Sequence, residues 1–335
     1  MKPYQLIQVS VDLDDRRFYI LPPSMVGNPY KMLIVHDWVL YPDMWEKSRA
    51  SIPNLVPDGR ALLERNYRAN RTLGFKHDWR ELWGREEGKT CLLMGCGPSL
   101  SDSIEEIRNL RGKPGYFTMA INRAIRTTSC DYYFVLDRRA ASDGSGISDW
   151  IVEDPRNTRL IASTSVCSDI APKFKNRFWG EHHVTAQDSG KTSLGVNLLI
   201  TLCDAMHAAY KLGAKEILLY GCDFSMSGRA VDTPRGKRWQ MENYYSDMTV
   251  DQGFAIRIEP LREGMPVIGI DGTVVFVNWE LVCNAAYATC MAMMLAAGGV
   301  RVRNRSPRGI LWETWHEHDV SLALPVCAEA VPQSV

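Results

Sequence analysis

Residues 91–107, CLLMGCGPSLSDSIEEI, constrain the fold more than any other stretch of the 335-residue chain. A continuous apolar run, Cys91 to Met94, meets Gly95-Cys96-Gly97-Pro98, and a polar, acidic helical pattern follows. A short unbroken apolar run suits a strand covered on both faces. Glycines adopt backbone angles closed to other residues and let another group approach the main chain. Pro98 fits the first positions of a helix, where a missing N–H is tolerated. Ser99, Ser101 and Asp102 are candidate N-caps, with Glu105 and Glu106 in the first turns. A glycine turn feeding a helix start offers unpaired N–H groups and the positive end of the dipole, a site for an anion. The same sequence also serves as a strand-to-helix turn with no ligand.

The pattern repeats along the chain. Strands are expected at 90–95, 116–121, 132–136, 159–163, 216–220 and 299–303, and helices at 101–111, 193–212 and 279–297. Such alternation predicts an α/β fold, a Rossmann-like, mostly parallel sheet with helices on both faces. Before it, residues 1–58 hold short strand-like runs between proline-rich turns, and 58–75 reads as a helix with Arg60, Arg65, Arg68 and Arg71 largely along one side. That arginine row is the usual look of a solvated helix face. The stretch GREEGKT suggests a boundary near residue 88, giving a smaller N-terminal accessory region at 1–88, a main domain at 89–312 and a tail at 313–335.

Composition narrows the function classes. With 39 basic and 39 acidic residues the net charge is zero, which gives no support for a dedicated nucleic-acid or membrane binder. Nine scattered cysteines without a C-x-x-C pair argue against a disulfide scaffold and fit a cytoplasmic protein. The uncharged stretch 281–300 contains Asn284, Thr289 and many alanines, so it reads as a buried helix and not as a membrane span. No histidine and cysteine spacing matches a zinc site, and no metal ligand set is assigned.

Ligands of parallel sheets bind at the carboxyl ends of the strands. Polar residues gather at those expected ends: Gly95 and Gly97, then Asn122 and Arg123, then Asp137, and finally Asp223. Taken in order, MGCGPSL, AINRA and KTSLGVNLLITLCDAMHAAYKLGAKEILLYGCDFS resemble a superfamily of nucleotide-dependent transferases over roughly residues 89–310. It includes bacterial sialyltransferases, the motility accessory factor glycosyltransferases and the MptE-like 6-hydroxymethylpterin diphosphokinases. The resemblance implies that Gly95, Cys96, Gly97, Ser99, Asn122 and Arg123 hold a nucleotide, and that Thr192 and Ser193 contact a nucleotide sugar at the start of a long helix. It also implies that Gly221 and Asp223 mark the strand end beneath the site.

Three departures accompany it. Cys96 stands where the sialyltransferase branch carries Asn, Ser225 where it has Tyr, and the stretch DGTVVFVNWELVCN lacks that branch's catalytic His. These speak against a sialyltransferase using that machinery. Candidate catalytic groups are then Asp223, Asp137 and His183, which adjoins His182. Each has a plainer reading: Asp223 as a turn cap, Asn122 as a turn residue, Ser193 as a helix N-cap and the histidines as loop residues.

The polar, aromatic segment 225–255 reads as a long loop. Its Arg229, Arg235, Lys237, Arg238, Trp239, Tyr244 and Tyr245 suit a lid over phosphates or an acceptor, or a hold on a single nucleic-acid strand. The expectation is a transferase with a CMP- or UDP-linked sugar donor and an acceptor that is a glycan, a protein or a nucleic-acid base. The alternatives are an MptE-like diphosphokinase using ATP and Mg²⁺, with Asp137 and Asp223 as carboxylates, and a nucleotide-binding module without catalysis.

Overall fold

The computed structural model describes residues 59–137, 155–181, 190–192, 194, 200–233, 236–243, 265–271, 273–277 and 279–311, together with a two-residue strand pair, Val11–Asp12 against Arg17–Phe18. His182, His183, Ser193, Tyr244 and Tyr245 lie outside the described residues.

The chain begins its main unit with α1 (Gly59–Thr72) and β1 (His77–Asp78), then β2 (Thr90–Met94), α2 (Leu100–Leu110), β3 (Tyr116–Ile121) and β4 (Tyr132–Val135). β5 (Arg159–Ser163), β6 (Asn176–Gly180), α3 (Thr201–Lys211) and β7 (Glu216–Tyr220) follow. Two antiparallel pairs come next, β8 (Ser227–Thr233) with β9 (Gly236–Asn243), and β10 (Met265–Ile268) with β11 (Val274–Val277). The chain closes with α4 (Trp279–Ala297) and β12 (Arg301–Asn304).

Eight of these strands form one sheet in the order β12-β7-β2-β3-β4-β5-β6-β1, and every pairing in it is parallel. All five residues of β2 are buried, as a continuous apolar strand flanked by β7 and β3 requires. Alternate side chains point to opposite faces. Cys91 and Leu93 join Met119, Ile217 and Leu219 under α3 and α4, which add Met206, Ala209, Ala292 and Leu295. Leu92 and Met94 join Ala120, Tyr133 and Leu160 under α2, which adds Leu100 and Ile107. The α/β fold with helices on both faces is therefore present.

Several expectations change in detail. Helix 193–212 is shortened to α3, because Ile200 is extended and the backbone N–H of Leu194 donates to the carbonyl of Glu181. The 225–255 segment is not a plain loop: β8 and β9 pair as a hairpin closed by two residues between Thr233 and Gly236. β1 and β6 were not expected, since neither His77–Asp78 nor Asn176–Gly180 has an unbroken apolar run.

Residues 59–88, expected on the N-terminal side of a boundary, build into the same sheet and core. β1 pairs with β6, and Trp79 and Leu82 are fully buried. The amides of Asn66 and Asn70 tie α1 to carbonyls of Ser165, Thr164 and Val166 in the turn after β5. Arg65, Arg68 and Arg71 of α1 are exposed, as a solvated face requires. Among the described residues no helix is long and apolar enough to cross a membrane.

Candidate functional site

The strand order sets where a ligand can enter. From β2 the chain builds outward through β3 to β6, then returns to place β7 on the other flank of β2. The crevice at such a reversal, beyond the carboxyl ends of the strands, is where open α/β sheets bind ligands. Register brings the three strand ends level, since Met94 pairs with Tyr220 on one side and Ala120 on the other. A cleft of about 290 Å³ opens there, lined by Gly95, Cys96 and Gly97 after β2, Asn122 after β3, and Gly221 to Ser225 after β7. Ile200, Thr201 and Leu202 at the start of α3, with Leu281 and Asn284 of α4, complete it.

The glycine turn and the turn after β7 are zipped together. Gly95 donates its N–H to Tyr220 O at 2.7 Å, and Gly97 donates to Gly221 O at 2.8 Å. Ser99 then donates both its backbone N–H, at 2.7 Å, and its hydroxyl to the carboxylate of Asp223. Leu100 and Asp102 bond back to Gly97 and Ser99. The anion site expected of the glycine turn is thus filled from within, by a carboxylate at the N-terminus of α2. The glycines follow from this closeness. A Cβ at Gly97 would lie 2.8 Å from Asp223 Oδ2 and 2.7 Å from Gly221 O, and one at Gly95 would lie 2.6 Å from Gly221 O.

Asp223 is buried, and burial raises its carboxyl to about 6 against the hydrogen bonds from Ser99, which pull it down. Its turn is held from the far side too, by Ile310 N–H to Asp223 O at 2.9 Å and by Ser306 Oγ, which accepts from Cys222 N–H at 2.8 Å. Burial pushes the Cys222 thiol up, with the Asp223 charge adding to it, so it stays protonated. Among the described lining residues Asp223 is the only carboxylate, and none is Lys, Arg or His.

Two non-glycine residues of the described chain have positive φ, Asn122 at 46° and Phe224 at 48°, and both line this cleft. Asparagine tolerates the left-handed region better than most residues; phenylalanine does not. Strain of this kind gathers at functional sites. The side-chain oxygen of Asn122 is buried and has no hydrogen-bond partner among the described residues.

The cleft therefore unites Gly95, Cys96, Gly97, Asn122 and Asp223, with Ser99 buried directly beneath. Arg123 and Asp137 do not line it. Thr192 stands apart: its N–H and hydroxyl donate to Asp78 Oδ2 at 2.9 and 3.2 Å, and its carbonyl accepts from Trp79 Nε1 at 3.2 Å. That anchorage is at the β6–β1 edge, three strands from β3, roughly 14 Å across the sheet at usual strand spacing. Sequence reasoning missed Thr201, Phe224 and Asn284 as lining residues. Asn284 had a signal, a carboxamide in an otherwise uncharged helix stretch; the backbone of Phe224 had none.

No protein-family model matches the chain, and no curated protein is found to be similar to it. Among solved structures the chain is similar to the MAf glycosyltransferase from Magnetospirillum magneticum AMB-1, at 14% sequence identity and a TM-score of 0.44, over 76% of this chain and 42% of that one. The chain spans less than half the length of that protein. A likeness this distant says nothing of substrate or reaction, which the cleft must define.

Proposed function

We propose that the chain is a nucleotide-dependent transferase, and that it uses a CMP- or UDP-linked sugar as donor in a glycosyl transfer. The observation that carries this is the cleft at the β2–β7 reversal, where one buried carboxylate and two strained residues meet at three strand ends. Asp223, with its carboxyl near 6, is ionised at neutral pH and suited to act as a general base. In that role it takes the proton of an acceptor hydroxyl as the acceptor oxygen bonds to the anomeric carbon and the nucleotide leaves with the bonding pair. His183 and Asp137 are not needed for this step. Six cysteines between Cys91 and Cys222 are in no disulfide, in keeping with a cytoplasmic setting.

The diphosphokinase alternative would need Mg²⁺ held by carboxylates. Both oxygens of Asp223 already accept from Ser99, and Asp137 does not line the cleft, so the described residues gather no magnesium site there. A donor screen on the full chain tests the proposal. Stabilisation by CMP- or UDP-sugars, with turnover that Asp223→Asn lowers at least about a hundredfold, supports it. Stabilisation by ATP with Mg²⁺ alone would replace it with the diphosphokinase, and binding without turnover of any donor would leave a binding module.

A further inference from the structure

We propose that the cleft includes a nucleobase subsite, read by the carboxamides of Asn122 and Asn284. This rests on the nucleotide-dependent reading above and names which part of the nucleotide the cleft takes.

The walls suit a flat, uncharged ring. Ile121, Ile200, Leu202, Phe224 and Leu281 supply apolar surface, and Phe224 adds an aromatic ring on which a base can stack. The volume of about 290 Å³ is at the small end of ligand pockets.

One polar group in this apolar setting has unmet hydrogen-bonding demand, and a second carboxamide lines the same cleft. The Asn122 oxygen is buried with no partner among the described residues, and Asn284 is half-buried in the cleft wall. Buried polar groups are ordinarily satisfied, so an orphan in a cleft points to a partner that arrives with the ligand. A carboxamide presents a donor and an acceptor side by side, the complement of a nucleobase edge. Asn122 is fixed by the left-handed backbone at the end of β3, while Asn284 comes from α4, a separate element of the fold.

Calorimetric titration of the full chain with cytidine, uridine, adenosine and guanosine, their 5′-monophosphates, and ribose 5-phosphate tests this. At least one nucleoside should bind within about tenfold of its monophosphate, ribose 5-phosphate should not bind, and Asn284→Leu should weaken that nucleoside about tenfold or more. Asn284→Asp, nearly the same size, should change the rank order of the bases, because it replaces a donor–acceptor pair with an acceptor. If Asn284→Leu does not fold, the Asp variant decides alone. Ribose 5-phosphate binding as well as the nucleotides, or unchanged nucleoside binding by the folded Asn284 variants, overturns the subsite while leaving a nucleotide-binding protein. Failure of every nucleoside and nucleotide to bind overturns the functional reading itself, and the subsite with it.

Discussion

Two turns at the carboxyl edge of the sheet both read as ligand-holding in the sequence and behave oppositely in the fold. The turn after β2 is glycine-rich and has its donors engaged, in the described structure, by the carbonyls and carboxylate of the turn after β7. The turn after β3 keeps a non-glycine residue, Asn122, at φ 46° with its buried side-chain oxygen unsatisfied. The first turn is closed upon the protein; the second is held ready for something else. A glycine motif is thus no proof of a ligand, because close approach by another part of the same chain imposes the same residue. A strained residue with an unmet hydrogen bond is the stronger sign, since folding alone does not favour it.

The contrast breaks most easily at Gly97. Gly97→Val puts a branched side chain against Gly221 O and the Asp223 carboxylate, and overpacking of that kind should cost more than about 3 kcal/mol. Chemical denaturation measures it. A loss under about 1 kcal/mol would mean that the two turns are not locked together.

Asp223 gives the next largest effect, with a defined sign. Its carboxyl is raised from 3.8 to about 6 in the folded chain, so the folded state binds the proton more tightly than the unfolded state between those values. Stability contributed by this group is fully present below 3.8 and is lost as pH rises through about 6, a fall of about 3 kcal/mol. If Asp223 is the general base, kcat/KM should rise through the same window, because only the carboxylate accepts a proton. Stability and activity then move in opposite directions with one titration. Asp223→Asn should flatten both profiles, measured by thermal melts and initial rates across pH; a wild-type melting profile unchanged between pH 4 and 7 would contradict this.

Asn122→Gly sharpens the comparison from the other side. Removing the left-handed strain and the orphaned oxygen should stabilise the chain by about 1 kcal/mol. It should also weaken nucleotide binding about tenfold, which melting and calorimetry read separately. Loss of stability in this variant would mean that Asn122 serves the fold and not a ligand.

The smallest effect is expected at Arg308, whose guanidinium pairs with Asp102 at 2.5 Å on a half-exposed surface. Arg308→Ala should change stability by less than about 1 kcal/mol. It should raise the Asp223 titration further, because the Arg308 charge helps keep that carboxyl down. A downward shift would contradict the electrostatics assigned to the turn.

Much of the fold was legible because its signals are local. Continuous apolar runs marked β2, β3, β5 and β7, and the long apolar stretch from Trp279 to Ala297, charged only at Glu280, marked α4 at its observed bounds. β6 and β1 were not legible, since Asn176 and His77 have exposed positions at a sheet edge and break the apolar pattern. The start of α3 was misplaced because KTSLGVNLLI has a helical look, while tertiary pairing draws Leu194 to Glu181.

The site divides the same way. By itself the sequence determined that glycines, Asn122 and Asp223 follow buried strands, and a parallel sheet collects such residues at one end because its strands all point the same way. Only the tertiary structure decided what each does there. Whether a backbone N–H faces a ligand or a neighbouring carbonyl depends on what packs a few ångströms away, and Asp223 lies 124 positions from Ser99. Whether Asn284 meets solvent or a cleft depends on how α4 lies against α3 and β11. Local pattern carries the elements, but contacts between distant segments carry the hydrogen bonds, the burial and the raised carboxyl from which a function is read.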